Sequence, residues 1–193
     1  MNAYDKLKAL LELPAETETV EFKEAKNGYN FTKLGRYFSA LSNEANLNRH
    51  SSAWLVFGVN NSRQVVGTKY RINRPELDSL KKEIANKTSH RITFIEIHEV
   101  QHEKWRVVMF QIPAAPKGLP ISFEGHYYGR DGEALSPLNL EEIERIRAQA
   151  TQEDWSAAVV PVAGLDDLDA DALALARKNF KNKFPDKASE VDG

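Results

Sequence analysis

A nearly unbroken apolar run, Ala53 to Val59 (AWLVFGV), constrains the fold of this chain more than any other feature. The run is far too short to span a membrane, but its length suits a strand that is buried on both faces. A strand of that kind needs neighbouring strands and a cover on each side of the sheet. We therefore expect this segment to be the central strand of a sheet.

Strand patterns occur on both sides of this run. In Thr19 to Glu24 (TVEFKE), the apolar Val20 and Phe22 alternate with Glu21 and Lys23, as in a half-buried strand. Further strands are predicted over residues 65–70, 91–100, 105–112, 121–123 and 126–130, the last two joined by a turn at 124–125.

Helical spacing of apolar residues predicts helices between these strands. Pro75 suits the first turn of one helix, Asn139 with Glu142 resembles a capping box, and Asp169 is a plausible cap of the last helix. The predicted helices cover residues 4–11, 34–45, 76–87, 139–146 and 169–180. Together the patterns predict an α+β domain with a mixed sheet and flanking helices over residues 1–150, and a short C-terminal appendage over residues 151–193. In the appendage, residues 151–156 are predicted to form a polar hinge and residues 157–163 a strand.

The charge is unevenly distributed along the chain. The net charge of −2 argues against a nucleic-acid partner, but residues 1–90 carry a balance of +4, residues 91–150 one of −2 and residues 151–193 one of −4. This asymmetry favours an anionic partner for the first half, although ordinary scatter of surface charge gives a similar pattern.

Composition excludes several classes of protein. The chain has no cysteine, which excludes disulfides and thiolate metal sites. No apolar run approaches the ~20 residues of a membrane span, and the charged N-terminus does not resemble a signal peptide. We therefore expect a cytoplasmic protein that does not enter a membrane. A phosphate-binding loop of the GxxxxGK[ST] type is also missing, so this chain is not predicted to be a helicase motor.

Four segments, in this order and spacing, resemble the divergent AlbA domain of the Schlafen AlbA_2 family. They are Glu16–Lys23 (ETETVEFK), Phe38–Asn46 (FSALSNEAN), Trp54–Gly67 and Pro116–Gly132. The resemblance covers roughly residues 12–150 and implies an AlbA-like fold that binds nucleic acid. It also implies an N-terminal module of a larger bacterial transcriptional regulator or RecG-related protein. The family has a glycine pair where this chain has a longer polar insert, residues 44–52, which contains Arg49 and His50.

The resemblance and the charge pattern together predict which residues contact nucleic acid. We expect phosphate contacts to dominate, with little sequence preference and DNA as the first candidate. The predicted contacts are Lys23, Lys26, Arg36, Arg49, Lys69 and Arg71, with Tyr128 and Arg130 as second-rank candidates. Asn43 is predicted to cap the end of a helix, with a phosphate contact as the alternative.

Two other functions stay open at this point. Some Schlafen proteins are metal-dependent nucleases, and Glu16, Glu21 and Lys23 match their opening motif, in which carboxylates hold Mg²⁺ or Mn²⁺. Asn60-Asn61 replaces the acidic pair that would supply a third carboxylate. We therefore expect neither a metal cofactor nor a catalytic residue. The third possibility is an interaction or homodimerisation module, which a contiguous basic face would argue against.

Overall fold

A computed structural model describes residues 2–13, 17–152, 164, 167 and 169–191 of the chain. The chain divides into two compact units, Met1–Glu153 and Asp154–Gly193. The predicted strand over residues 157–163 and most of the predicted hinge lie outside the described residues. None of the described helices is long and apolar enough to cross a membrane.

The first unit is built on a four-stranded mixed sheet. Its strands are β1 (Val20–Lys23), β2 (Ser52–Phe57), β3 (Glu96–His102) and β4 (Trp105–Pro113), arranged in the order β1-β2-β4-β3. β1 runs parallel to β2, whereas β4 is antiparallel to both β2 and β3. The apolar run therefore occupies an interior strand, and the mixed sheet with its helices confirms the predicted α+β class.

Helices cover both faces of this sheet. Successive side chains of a strand point to opposite faces, so the apolar strands place apolar side chains on both faces, and each face needs a cover. On one face, α1 (Ala3–Leu11) packs its Leu7 and Leu10 against Phe22 and Met109. On the other face lie α2 (Phe31–Leu47) and α3 (Arg74–Ala85). The core on that side contains Leu34, Phe38, Leu41, Leu55, Phe57, Leu77, Leu80, Ile84 and Phe110.

A second, three-stranded antiparallel sheet packs against α2. It consists of β5 (Ser122–Phe123), β6 (His126–Asp131) and β7 (Ala134–Pro137), in that order. The predicted turn at Glu124-Gly125 joins β5 to β6, and both of its residues have positive φ, 51° and 83°. The sequence patterns did not predict β7. Helix α4 (Leu140–Arg147) follows and begins with the predicted capping box.

Polar side chains on α2 bind the helix to this second sheet. Asn43 is fully buried; its amide donates to the carbonyls of Ile121 and Tyr128, both at 2.9 Å, and accepts the Ile121 N–H at 2.8 Å. Ser39 also donates to the Ile121 carbonyl, at 2.7 Å. The prediction that Asn43 caps a helix end is wrong, because α2 continues to Leu47. Its amide instead satisfies backbone groups that would otherwise be buried without partners.

The segment after β2 also differs from its prediction. Residues 65–70 were expected to form a strand, but they make a single antiparallel bridge, Val59 with Val65. Gly58 and Gly67 have φ values of 99° and 79°, a left-handed conformation that favours glycine and takes the chain out of regular strand geometry.

The second unit contains one described α-helix. α5 (Ala170–Lys183) begins at Asp169, whose carboxylate accepts the Ala172 N–H at 2.8 Å, as predicted for its cap. A 3₁₀-helix, Pro185–Val191, follows it.

Candidate nucleic-acid interface

Three chain segments of the first unit meet to form an open groove. The loop after β2 lies between the chain that leaves β1 and the start of β4. The Thr68 N–H donates to the Arg106 carbonyl at 2.9 Å, and the Lys69 N–H donates to the Lys26 carbonyl at 2.7 Å. The Thr68 hydroxyl also donates to the Ala25 carbonyl at 2.6 Å. These backbone contacts bring side chains from three distant parts of the sequence onto one surface.

Gly67 positions the indole of Trp105 in this groove. A Cβ atom at Gly67 would lie 2.7 Å from a carbon of the Trp105 ring, so the indole packs directly on the glycine backbone. The tryptophan nevertheless stays 40% exposed, which is unusual for so large an apolar side chain. Gly67 is therefore required both for its positive φ and for this close approach.

The groove combines positive charge with an exposed apolar surface. Its volume is about 540 Å³. Lining residues are Lys26, Asn27, Val66, Gly67, Thr68, Lys69, Ile72, Lys104, Trp105 and Arg106. Ile72 is 61% exposed. Within the described part of the chain, no acidic side chain lines the groove.

The four cations of the groove differ in their partners. Arg106 is structural, since it pairs with Glu99 at 2.7 Å and donates to the Tyr70 carbonyl at 2.9 Å. Lys26 forms an exposed pair with Glu24 at 3.0 Å, an arrangement that contributes only ~0–1 kcal/mol. Lys69 and Lys104 are exposed. Lys26, Lys69 and Lys104 can therefore turn toward an anionic ligand at little cost.

Arg71, a predicted phosphate contact beside the groove, is engaged elsewhere. Its guanidinium binds both carboxylate oxygens of Glu83, at 2.8 and 2.7 Å. The hydrogen bond to Glu83 raises the pKa of Arg71, and the same bond lowers the pKa of Glu83. Arg71 therefore brings no uncompensated charge to the groove.

Arg130 and Lys23, two more predicted contacts, belong to a buried ion-pair network. The side chains of Arg130 and Glu21 are 0% and 1% exposed, and their nearest charged atoms are 2.5 Å apart without the alignment of a regular hydrogen bond. Lys23 pairs with the other oxygen of Glu21 and lies over the Tyr37 ring. The guanidinium of Arg130 is buried and does not face solvent, so Arg130 cannot make the predicted phosphate contact in this conformation.

The remaining predicted contacts lie in two further places. The Arg36 guanidinium lies 5.6 Å from the centre of the Tyr128 ring, where α2 meets β6. Arg49 lines a separate cleft of about 700 Å³ at the end of α2, together with His50, Lys117 and Arg145. Of the eight predicted residues, only Lys26 and Lys69 lie together in the groove.

The buried network also bears on the metal-site hypothesis. Glu16 lies outside the described residues, and the carboxylate of Glu21 is already shared between Lys23 and Arg130. Asn60, at the position of the family's acidic turn, uses its side chain to bind Gln64. Among the described residues, no group of three His, Asp or Glu side chains could hold a metal ion. The described residues of the nuclease motif, Glu21 and Lys23, therefore do not fit a divalent cation.

A carboxyl group with a shifted pKa lies next to this network. Glu44 is 3% exposed, and burial raises its pKa to about 7. The Arg130 N–H, which donates to Glu44 at 2.8 Å, opposes this rise, whereas the negative charges of Glu18 and Glu142 contribute to it. Glu44 is therefore a buried carboxyl group that titrates near neutral pH.

Sequence reasoning missed Ile72, Lys104, Trp105 and Arg106 as members of the interface. A signal for three of them was present, because a lysine, a tryptophan and an arginine follow each other at the start of the predicted strand over residues 105–112. Their relation to Lys26 and Lys69 depends on the path of the loop after β2, which the sequence pattern assigned to a regular strand.

Comparison with solved structures gives one chain of similar fold and one weaker match. The DIP2311 protein from Corynebacterium diphtheriae matches with a TM-score of 0.54 and 22% identity, over 94% of this chain. Our chain spans 40% of the length of that protein. The N-terminal domain of a RecG-related protein from Nitrosomonas europaea matches with a TM-score of 0.42 and 18% identity. That match covers 72% of this chain and 93% of the other.

Sequence comparison gives the family. No curated protein matches this chain significantly. The family model described as "Schlafen, AlbA_2" matches residues 16–139, which include the first sheet, the second sheet and the groove. This chain therefore belongs to the Schlafen AlbA_2 family.

Proposed function

We propose that the first unit is a nucleic-acid-binding module, with DNA as the first candidate, and that it binds through the groove formed by Lys26, Lys69 and Lys104. The observation that carries the proposal is the convergence of these lysines, from three separate segments, on a groove without a lining carboxylate among the described residues. Phosphate groups are the natural partners of such a surface. As the family resemblance implies, the module would serve a larger regulator or RecG-related protein.

The groove supports this proposal better than the other places that hold predicted cations. The cleft that contains Arg49 also holds Lys117 and Arg145, but among the described residues its lining lacks the large exposed apolar side chains, Trp105 and Ile72, that accompany the lysines of the groove. Arg71 and Arg130 are paired with carboxylates. A patch of three lysines also favours a nucleic-acid module over a pure interaction module, which needs no positive surface.

Three phosphate contacts predict weak, salt-dependent binding. The slope of log affinity against log salt should be roughly −2 for single strands and −2.7 for duplexes. Affinity should lie in the ~10⁻⁴–10⁻⁶ M range at physiological salt. Replacing Lys26 and Lys69 by alanine should weaken binding about tenfold at low salt and flatten the slope by roughly 1.4 to 1.8 on any sequence.

The test is a salt-titrated binding measurement with a charge-matched control. The control variant replaces Lys8 and Lys82 by alanine, because both are exposed and neither lines the groove. It loses the same net charge and should keep most of the affinity. Equal losses in the two double variants, or no binding at low salt, would contradict the proposed function.

A further inference from the structure

We infer that the groove binds an unpaired nucleotide by stacking its base on Trp105, so that the module prefers single-stranded nucleic acid to duplex. The inference rests on the proposed function and specifies the class of strand that the same groove selects.

The indole of Trp105 is supported on one side and open to solvent. Trp105 is 40% exposed, and one side of the ring is supported by the Gly67 backbone, which lies too close for any Cβ. A tryptophan held in one orientation and open to solvent offers a flat stacking surface. Every nucleobase has a face that can stack on such a ring, so the contact needs no particular sequence.

Cations lie around this ring. Lys26, Lys69 and Lys104 surround Trp105 in a groove of about 540 Å³, and a volume of ~300–1,000 Å³ is typical of ligand pockets. Proteins that bind single strands combine positive charge along the backbone with aromatic rings for the bases. The exposed Ile72 extends the apolar surface beside the ring.

Lys104 already lies over the ring, so the base must compete with it. Its Nζ atom is 5.3 Å from the ring centre, and both side chains are exposed. An exposed cation–π contact contributes about two- to fivefold to an equilibrium. A stacked base contributes roughly 5- to 150-fold. The base therefore displaces the ammonium group, which remains free to contact the adjoining phosphate.

A duplex cannot use this surface in the same way. Its bases are paired and stacked on one another, so their faces become accessible only after a costly unstacking step. Duplex DNA would contact the three lysines but not the indole. Loss of the ring should therefore weaken single-strand binding and leave duplex binding unchanged.

The experiment measures the affinity of the full chain for four probes of equal length: oligo-dT, oligo-rU, a DNA duplex and an abasic deoxyribose-phosphate strand. The main variant is Trp105→Leu, which keeps apolar bulk over Gly67 and removes the aromatic face. We expect a roughly 5- to 150-fold loss on oligo-dT or oligo-rU and no loss on the duplex or the abasic strand. Trp105→Phe should retain most of the single-strand affinity.

Two outcomes would overturn the inference while leaving the proposed function intact. They are equal losses on all four probes, and no loss on either single strand although the Lys26/Lys69 double variant still loses affinity. Binding of no probe by the unmodified chain would instead reject the proposed function itself. Thermal unfolding of each variant separates a loss of the aromatic face from a loss of structure.

Discussion

The first unit has two charged regions, a buried ion-pair network and the open groove, and lysines have a different role in each. In the buried network, the Glu21 carboxylate pairs with both Lys23 and Arg130. In the groove, Lys69 and Lys104 face solvent beside Trp105. The difference lies in burial and in the distance to the nearest carboxylate, and neither property can be read from the charge of a residue alone.

Several residues in the segments that resemble the family are structural and not ligand-binding. Glu21, Lys23, Asn43 and Arg130 all lie in segments on which the family resemblance is based, and all four are hydrogen-bonded or ion-paired within the fold. A buried charge without a partner is costly, so such a network must be kept complete. In this chain the candidate ligand-binding residues lie mostly outside that network.

The largest expected effect is on the buried network. Replacing Arg130 by alanine removes one of the two cations that pair with the buried Glu21 carboxylate and leaves Lys23 as the other. Removing one partner of a buried ion pair costs ~3–5 kcal/mol of unfolding free energy, and we expect the lower end of that range because Lys23 remains. Chemical denaturation should show this loss. At a temperature where the variant stays folded, its affinity for nucleic acid should match that of the unmodified chain.

A double variant sharpens this prediction. Glu21→Gln combined with Arg130→Met removes the two fully buried charges, keeps similar side-chain volumes and leaves only the partly exposed Lys23 charged, so it should be more stable than Arg130→Ala alone. A stable Arg130→Ala variant with reduced affinity would return this residue to the nucleic-acid interface.

An intermediate effect is expected from Glu44 and depends on pH. Because burial raises the pKa of Glu44 to about 7 from the ordinary 4.5, the folded state holds its proton more tightly than the unfolded state. Stability should therefore fall as pH rises from about 4.5 through 7. Glu44→Gln should remove this fall and stabilise the chain at pH 8 by on the order of 2–3 kcal/mol, with little difference at pH 5.

Denaturation of both proteins between pH 5 and pH 8 checks the sign of this effect. The control is Glu141→Gln, which removes an exposed carboxylate of α4. A difference between the Glu44 variant and the unmodified chain that stays constant across this pH range would contradict the buried-carboxyl explanation.

Local features of the sequence predicted the fold better than they predicted the site. The apolar run in β2, the turn at Glu124-Gly125 and the capping box at Asn139 each depend on neighbours in the sequence, and each is confirmed. The pairing of Glu21 with Arg130 depends on the packing of distant strands. A local charge pattern carries no information about such a contact, so Arg130 was indistinguishable from an exposed cation.

The interface depends on long-range packing for the same reason. Lys26, Lys69 and Trp105 become neighbours only because the loop after β2 leaves regular strand geometry at its two glycines. The predicted strand over residues 65–70 would have directed these side chains differently. Cations that could contact phosphate can thus be proposed from the sequence. Which of them lie together on one surface can be predicted only when the path of the chain is known.

The smallest expected effect concerns Arg71, which lies at the border between the two kinds of region. It adjoins Ile72 of the groove, but Glu83 binds its guanidinium through two hydrogen bonds. Glu83→Gln should free this positive charge and raise nucleic-acid affinity by about two- to fivefold, because one more cation lies within a Debye length of the groove. The salt slope should steepen by at most about 0.9.

The charge-matched control is Glu144→Gln, which breaks the exposed pair with Arg147 on α4 and does not line the groove. Equal gains in both variants would mean that net charge alone sets the affinity. A gain confined to the Glu83 variant would mean that the ion pair with Glu83 keeps Arg71 from binding nucleic acid.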